Sequence, residues 1–298
     1  FSVSKAPLTK SVLESDAIAF EEGDRIGVIA VTPEKTWNTT SEIYNAEGGS
    51  NLSFKLTQKR GIEAGGKVFA HFPANAASEG TTATLSIPAE QTQNEDTFES
   101  DAMPLVSLPF EADATLPTGR KQLAGSLEMT AIGAIAQFEI YSTFPGFADQ
   151  QIVSVELTAQ SGIAGDFTWD FAAESPAIAN LTATSVKTTV NTTASVAAAK
   201  ADAAKVYMVL APGEHTVTAK VTTTEGIYSK TVTISAEAAK ITPVEINLED
   251  TEWTEAKIYR YKFAAEASDE LFGGLTKSAG FFTDATTAAE KTFAEGGF

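Results

Sequence analysis

Short apolar runs alternating with polar residues recur along most of the chain, and no other feature constrains its fold as much. Residues 25–32 (RIGVIAVT) put Ile26, Val28 and Ala30 on one face, and residues 51–57 set Leu52, Phe54 and Leu56 against polar partners. Residues 67–72 (KVFAHF) and 81–87 (TTATLSI) follow. A period of two marks a strand with one buried face, because successive side chains leave a strand on opposite sides. The pattern restarts at 126–142 (SLEMTAIGAIAQFEIYS), where Gly133 marks a bulge or crossing point. It continues through 151–158, 167–171, 205–210, 215–223, 228–234 and 244–248. The alanines of 195–205 suit one or two turns of helix, too short to alter the class. Strands this short, rich in Val, Ile and Thr, predict an all-β protein of sandwich type rather than a parallel α/β sheet.

The two patterned halves meet at residues 87–127, whose polar first part keeps neither a strand nor a helix period. With 298 residues the chain is long enough for two domains with separate cores. The reading is therefore an edge strand or arm at 1–16, which the resemblance given below makes a removable strand, an N-terminal β-sandwich domain at 17–115 and a C-terminal one at 116–298. Residues 87–103 close the first domain, and residues 104–125, with Pro109, Pro117, Gly119 and Arg120, are connecting chain. Residues 1–16 alternate weakly and Pro7 removes a ladder donor, so an edge strand or an arm is expected there. Residues 37–49 read as a polar excursion. The end of the C-terminal domain, 251–298, is a Phe-rich tail. Its Phe272, Phe281, Phe282, Phe293 and Phe298 call for packing on their own domain or on a neighbour.

Charge and composition remove several function classes. The formal net charge is −18, from 39 acidic and 21 basic side chains, which repels a phosphate backbone and argues against nucleic-acid binding. No run of about 18 apolar residues is present to form a transmembrane helix. There is no cysteine, so disulfides, thiolate nucleophiles and zinc–sulfur sites are excluded together. Residue 1 is Phe, with no apolar signal core behind it, and the expectation is a numbering that starts after a removed leader on an exported protein.

No catalytic, cofactor or metal residue emerges. His71 and His215, the two imidazoles, sit in strands without a nucleophile motif and read as ordinary strand histidines. Glu90, Glu95, Asp96, Glu99 and Asp101 lack the order of a calcium-binding loop and read as solvated surface. The glycine pairs match no phosphate cradle. Trp169 alternates with Phe167 and Phe171 and belongs in a core, whereas Trp37 and Trp253, in polar surroundings, are the candidates for a sugar-stacking surface. A pair of glycosidase carboxylates cannot be singled out among 39 acids.

Four passages carry a resemblance. Residues 20–28 (FEEGDRIGV), 67–73 (KVFAHFP), 87–92 (IPAEQT) with 100–103 (SDAM), and 206–212 (VYMVLAP) with 216–221 and 226–228 occur in this order. Together they resemble the fimbrillin-like proteins of the Bacteroidales, the subunits of type V pili, over about residues 1–250. The resemblance implies two tandem β-sandwich domains of transthyretin-like, Greek-key topology and export as a lipoprotein to the outer membrane. It also implies assembly into a surface fimbrium. In such proteins a protease removes an N-terminal strand, and the groove left behind accepts a strand of the next subunit. The cut falls within 5–16, where Lys10 stands in the place of the usual arginine. The candidate exchange tail is Phe281, Phe282, Phe293 and Phe298. The partners implied are other fimbrial subunits and, for an adhesive subunit, host or bacterial surface ligands. The alternative is a secreted or surface carbohydrate-binding β-sandwich protein using Trp37 or Trp253.

Overall fold

The computed structural model describes residues 2–5, 23–33, 35–41, 51–53, 61–74, 78–122, 125–147, 150–248, 254–257, 275–278, 281–284 and 290–291. Among the described residues ten strands precede residue 115: β1 (Ser2–Lys5), β2 (Gly27–Val31), β3 (Thr36–Thr40), β4 (Asn51–Ser53), β5 (Lys67–Phe72), β6 (Ser78–Glu79), β7 (Thr82–Ile87), β8 (Glu90–Gln93), β9 (Leu105–Ser107) and β10 (Phe110–Glu111). After it come β11 (Ser126–Ala131), β12 (Ala134–Tyr141), β13 (Ile152–Ala159), β14 (Gly165–Asp170), β15 (Ser185–Val190), β16 (Ala204–Leu210), β17 (Gly213–Thr223), β18 (Gly226–Ala236) and β19 (Ile241–Asn247). Four short strands lie beyond: β20 (Thr254–Lys257), β21 (Leu275–Ser278), β22 (Phe281–Asp284) and β23 (Glu290–Lys291).

The fold is all-β, in tandem sandwiches. One sheet runs β3-β2-β5-β9-β11-β1-β4, with β10 also on β5, and a second runs β20-β18-β17-β13-β15-β8. The three-stranded sheet β16-β12-β19 packs on the second and closes the C-terminal sandwich around Phe138, Ile140, Val155, Leu157, Met208 and Val217. Two further sheets are β14-β7-β6 and β21-β22-β23. Alternation fixes the faces. In β11, Leu127, Met129 and Ala131 are buried between exposed Ser126, Glu128 and Thr130, and a one-residue slip would turn all three into water. β5 is buried on both faces from Val68 to Phe72, because the end of β14 covers its outer side.

Several expectations are corrected. The run 126–142 is two strands in different sheets, β11 in the first and β12 in the third, and of the two roles expected of Gly133 it has that of the crossing point. A Cβ on Gly133 would lie 3.0 Å from Met103 Sδ and 3.2 Å from Val209 Cγ1, so the crossing is tight enough to favour glycine. The connecting chain of 104–125 contains β9 and β10, and the stretch without strand period contains β8. The polar excursion contains β3, whose Trp37 pairs with Ala30 of β2. β15 had no counterpart in the sequence pattern, and the alanine-rich segment holds a 3-10 turn, Lys200–Asp202, followed by the start of β16 at Ala204.

Three sheets also draw strands from both sides of residue 115. β11 joins the first sheet through β9, β8 joins the second through β15, and β7 pairs along its whole length with β14. Among the described residues no helix is long and apolar enough to cross a membrane.

Candidate functional site

The functional candidates of this fold are strand edges, and the first lies around β1. β1 runs parallel to β11, with Val3 opposite Leu127 and Lys5 opposite Met129. On its other side it is antiparallel to β4, with Val3 opposite Leu52. It is thus an interior strand held by backbone bonds on both sides, not the edge strand or arm read from the sequence. The first sheet is otherwise antiparallel, so β1 is its one parallel insertion among the described residues.

A second edge, that of β16, is closed by side chains. β16 pairs with β12 on one side. On the other, Val209 N–H donates to Gln91 Oε1 at 2.8 Å, and Gln91 Nε2 donates to Val209 O at 2.7 Å. Tyr207 N–H donates to Gln93 Oε1 at 2.9 Å, and Gln93 Nε2 donates to Lys205 O at 3.1 Å. Thr188 Oγ1 adds a bond to Tyr207 O at 3.0 Å. A glutamine amide has the same donor and acceptor as a peptide group, so Gln91 and Gln93 stand in for a strand. Both are buried, and each satisfies backbone groups that would otherwise be orphaned in the core. Sequence reasoning passed over them. The signal was the spacing of two, Gln-x-Gln, two residues beyond Ile87-Pro88.

The other candidates are placed as follows. Trp37, read as surface, is 8% exposed, which removes its ring face from any sugar platform. Trp169 lies in β14 and is buried, as expected of it. Lys10, Trp253, Phe272, Phe293 and Phe298 lie outside the described residues. Phe281 and Phe282 fall in β22, which pairs with β21 and β23 in a sheet that shares no strand with the others. Glu99 accepts a bond from Thr92 N–H at 2.9 Å, and Glu90, Glu95, Asp96 and Asp101 are exposed. Among the described residues no group of three or more His, Asp or Glu is arranged to hold a metal ion.

The two histidines differ. His215 Nε2 donates to Ala211 O at 2.8 Å in a half-buried position. His71 is buried; its Nδ1 donates to Pro73 O at 3.1 Å, which leaves Nε2 as a bare acceptor with no partner among the described residues. Burial pushes its pKa below the usual histidine value, against the smaller upward pull of the Pro73 carbonyl.

No protein-family model matches the sequence, and no curated protein does. Solved structures do match by fold. A "putative cell adhesion protein" from Bacteroides ovatus is 13% identical with a TM-score of 0.56, over 86% of this chain and 93% of that one. A second, from Bacteroides uniformis, is 13% identical with a TM-score of 0.48, over 80% of this chain and 92% of that one. A fimbrial protein from Bacteroides ovatus is 12% identical with a TM-score of 0.44, over 92% of this chain and 56% of that one. The chain thus shares its fold with the first of these, the "putative cell adhesion protein" of Bacteroides ovatus, an organism of the group its motifs resemble.

Proposed function

We propose that this chain is a non-enzymatic structural or adhesive subunit of a cell-surface fimbria, exported to the outer membrane and polymerised by strand exchange. The observation that carries the reading is the interior place of β1 between β11 and β4. Removal of an interior strand opens two backbone edges at once, and the resulting slot has the dimensions of one strand. A strand from another subunit that enters it regains the ladder bonds on both sides and fills the alternate side-chain positions. A head-to-tail contact of this kind builds a filament wherever its rotation does not close a ring.

Lys10 is the processing candidate: a cut after it separates residues 1–10, β1 included, from the body. The strand donor is the tail with Phe281, Phe282, Phe293 and Phe298. Within it β20 pairs with β18 of the six-stranded sheet, whereas β21, β22 and β23 form a sheet that shares no strand with the sandwiches, so lending these three to a neighbour breaks no described ladder of the donor's sandwiches.

Limited digestion with a lysine-specific protease tests this, followed by electron microscopy and sedimentation. The expected result is loss of the N-terminal peptide and growth of oligomers or filaments, both absent from Lys10→Ala and from a chain shortened at residue 250. A trimmed protein that stays monomeric, with its first strand still bound, would end the reading.

A further inference from the structure

We propose that two copies of the uncut chain associate about a two-fold axis, each inserting Leu108 into an apolar groove beside Leu108 on the other. The groove lies on the outer face of the first sheet and has a volume of about 670 Å³. Its floor is built from directly opposed positions that share this face: Val31 opposite Lys67, and Thr130 opposite Val106, which in turn lies opposite His71. Phe69, two residues from both Lys67 and His71, completes the floor. Trp169 and Phe171 at the end of β14 form one wall, with the Phe69 and Phe171 rings 5.2 Å apart.

Leu108 stands on the opposite lip and is 71% exposed. Its projection is held in place. The preceding residue, Ser107, accepts a 2.7 Å hydrogen bond at Oγ from Ala70 N–H, and Pro109 restricts the chain on the other side. A projecting apolar side chain and an apolar hollow on one face are the self-complementary pair that a two-fold interface requires.

Charge points to the same occupant. The chain carries −18 overall, yet among the described residues the charged ones that line the groove are one base, Lys67, which also pairs with Glu111 at 3.0 Å, and one acid, Glu174. This is a patch where a second copy meets little repulsion, and the two-fold operation lets Lys67 of each copy approach Glu174 of the other. A sugar suits the groove less well. Phe69, Trp169 and Phe171 are 7%, 9% and 9% exposed, so little of any ring is open for a pyranose to stack on.

The test is sedimentation equilibrium of the full, uncut chain from about 1 to 500 µM, at salt concentrations either side of the physiological range. A dimer is expected, tighter at high salt because screening removes the repulsion between two acidic bodies. Leu108→Asp, which removes the projection, and Ala172→Trp, which fills the hollow, should each weaken it at least about 100-fold without moving Tm. An equal mixture of the two variants keeps one intact insertion, Leu108 of the filled copy into the open groove of the other. That mixture should dimerise more tightly than either variant alone. A wild-type chain that remains monomeric throughout overturns the proposal, as does a dimer that neither substitution weakens, or a mixture without recovery. A monomer whose Trp169 fluorescence responds to added oligosaccharide overturns it too, and assigns the groove to a sugar. No cleavage is involved, so failure here leaves strand exchange untouched.

Discussion

His71 shows how little room a single side chain leaves in the first sheet. It lies opposite Gly27 of β2, and a Cβ on Gly27 would come within 2.0 Å of His71 Nε2. Glycine is required there by close approach, not by backbone conformation. With Nδ1 committed to Pro73 O, an imidazolium would carry its second proton into a contact that has no acceptor among the described residues. The neighbouring elements do not compensate it. β2 and β9 contain no ionisable residue, Lys67 at the far end of β5 pairs with Glu111 at 3.0 Å, and Asp170 of β14 accepts from Thr81 Oγ1 and Ala172 N–H. The folded-state pKa lies below the ordinary 6.5, so between the two values the unfolded chain binds more protons than the folded one. Stability from this residue is therefore whole above about pH 6.5 and is lost as the pH falls through that window. Thermal melts from pH 7.5 to 5 should show a fall in Tm that His71→Phe, which cannot titrate, reduces. Equal pH slopes in the two proteins would show that His71 contributes nothing to acid lability.

At the scale of elements, the closure of the β16 edge by Gln91 and Gln93 is the least expected feature. Gln91→Leu keeps the volume but strands the N–H and C=O of Val209 in the core. It should cost about 2–4 kcal/mol, from two buried backbone groups left unpaired. Gln91→Glu can still accept from Val209 N–H but cannot donate to its carbonyl, and it brings a charge into the interior, so it should fare no better. Urea midpoints measured with unchanged m-values would check this; a loss below about 0.5 kcal/mol for Gln91→Leu would mean that water reaches the edge.

The same elements show where sequence patterning succeeds and where it stops. β7, β11 and β14 were legible because one face is apolar and the other wet, the situation that a period of two describes. β15 was missed because its central inward residue is Thr188, a polar side chain satisfied by Tyr207 O, and β8 because its inward residues are glutamines. β9 and β10, of three and two residues, are too short to have a period. Trp37 was read as surface from its polar neighbours. It is buried in β3, where its register partner is the buried Ala30 of β2. The parallel placement of β1 was not legible at all, since its register is set by β11, more than a hundred residues away, and not by its own sequence.

For the molecule as a whole, the decisive point is that its sheets do not respect the expected boundary at 115. β8 leaves the N-terminal half to extend the six-stranded sheet, β11 returns from the C-terminal half to the first sheet, and β7 and β14 form a ladder between them. The buried residues belong to one cluster that includes Leu85, Met103, Phe138 and Val209. Two domains joined by a linker would unfold separately, whereas here neither half can open without breaking the ladders and burial of the other. Calorimetry should accordingly give one transition with calorimetric and van't Hoff enthalpies in agreement. Gln91→Leu, although it sits at the junction, should shift that transition down without splitting it. Residues 17–115 expressed alone should fail to fold cooperatively, because Leu85 and Ile87 lose the cover of β14, and β9 loses β11. Loss of β1 is a different matter. It opens the first sheet between β11 and β4 while leaving the β7–β14 and β8–β15 ladders intact, so a chain cut after Lys10 should keep a single transition at a lower Tm. Two resolved transitions in the uncut chain would mean that the shared ladders do not couple the halves, and that the sandwiches behave as separate bodies after all.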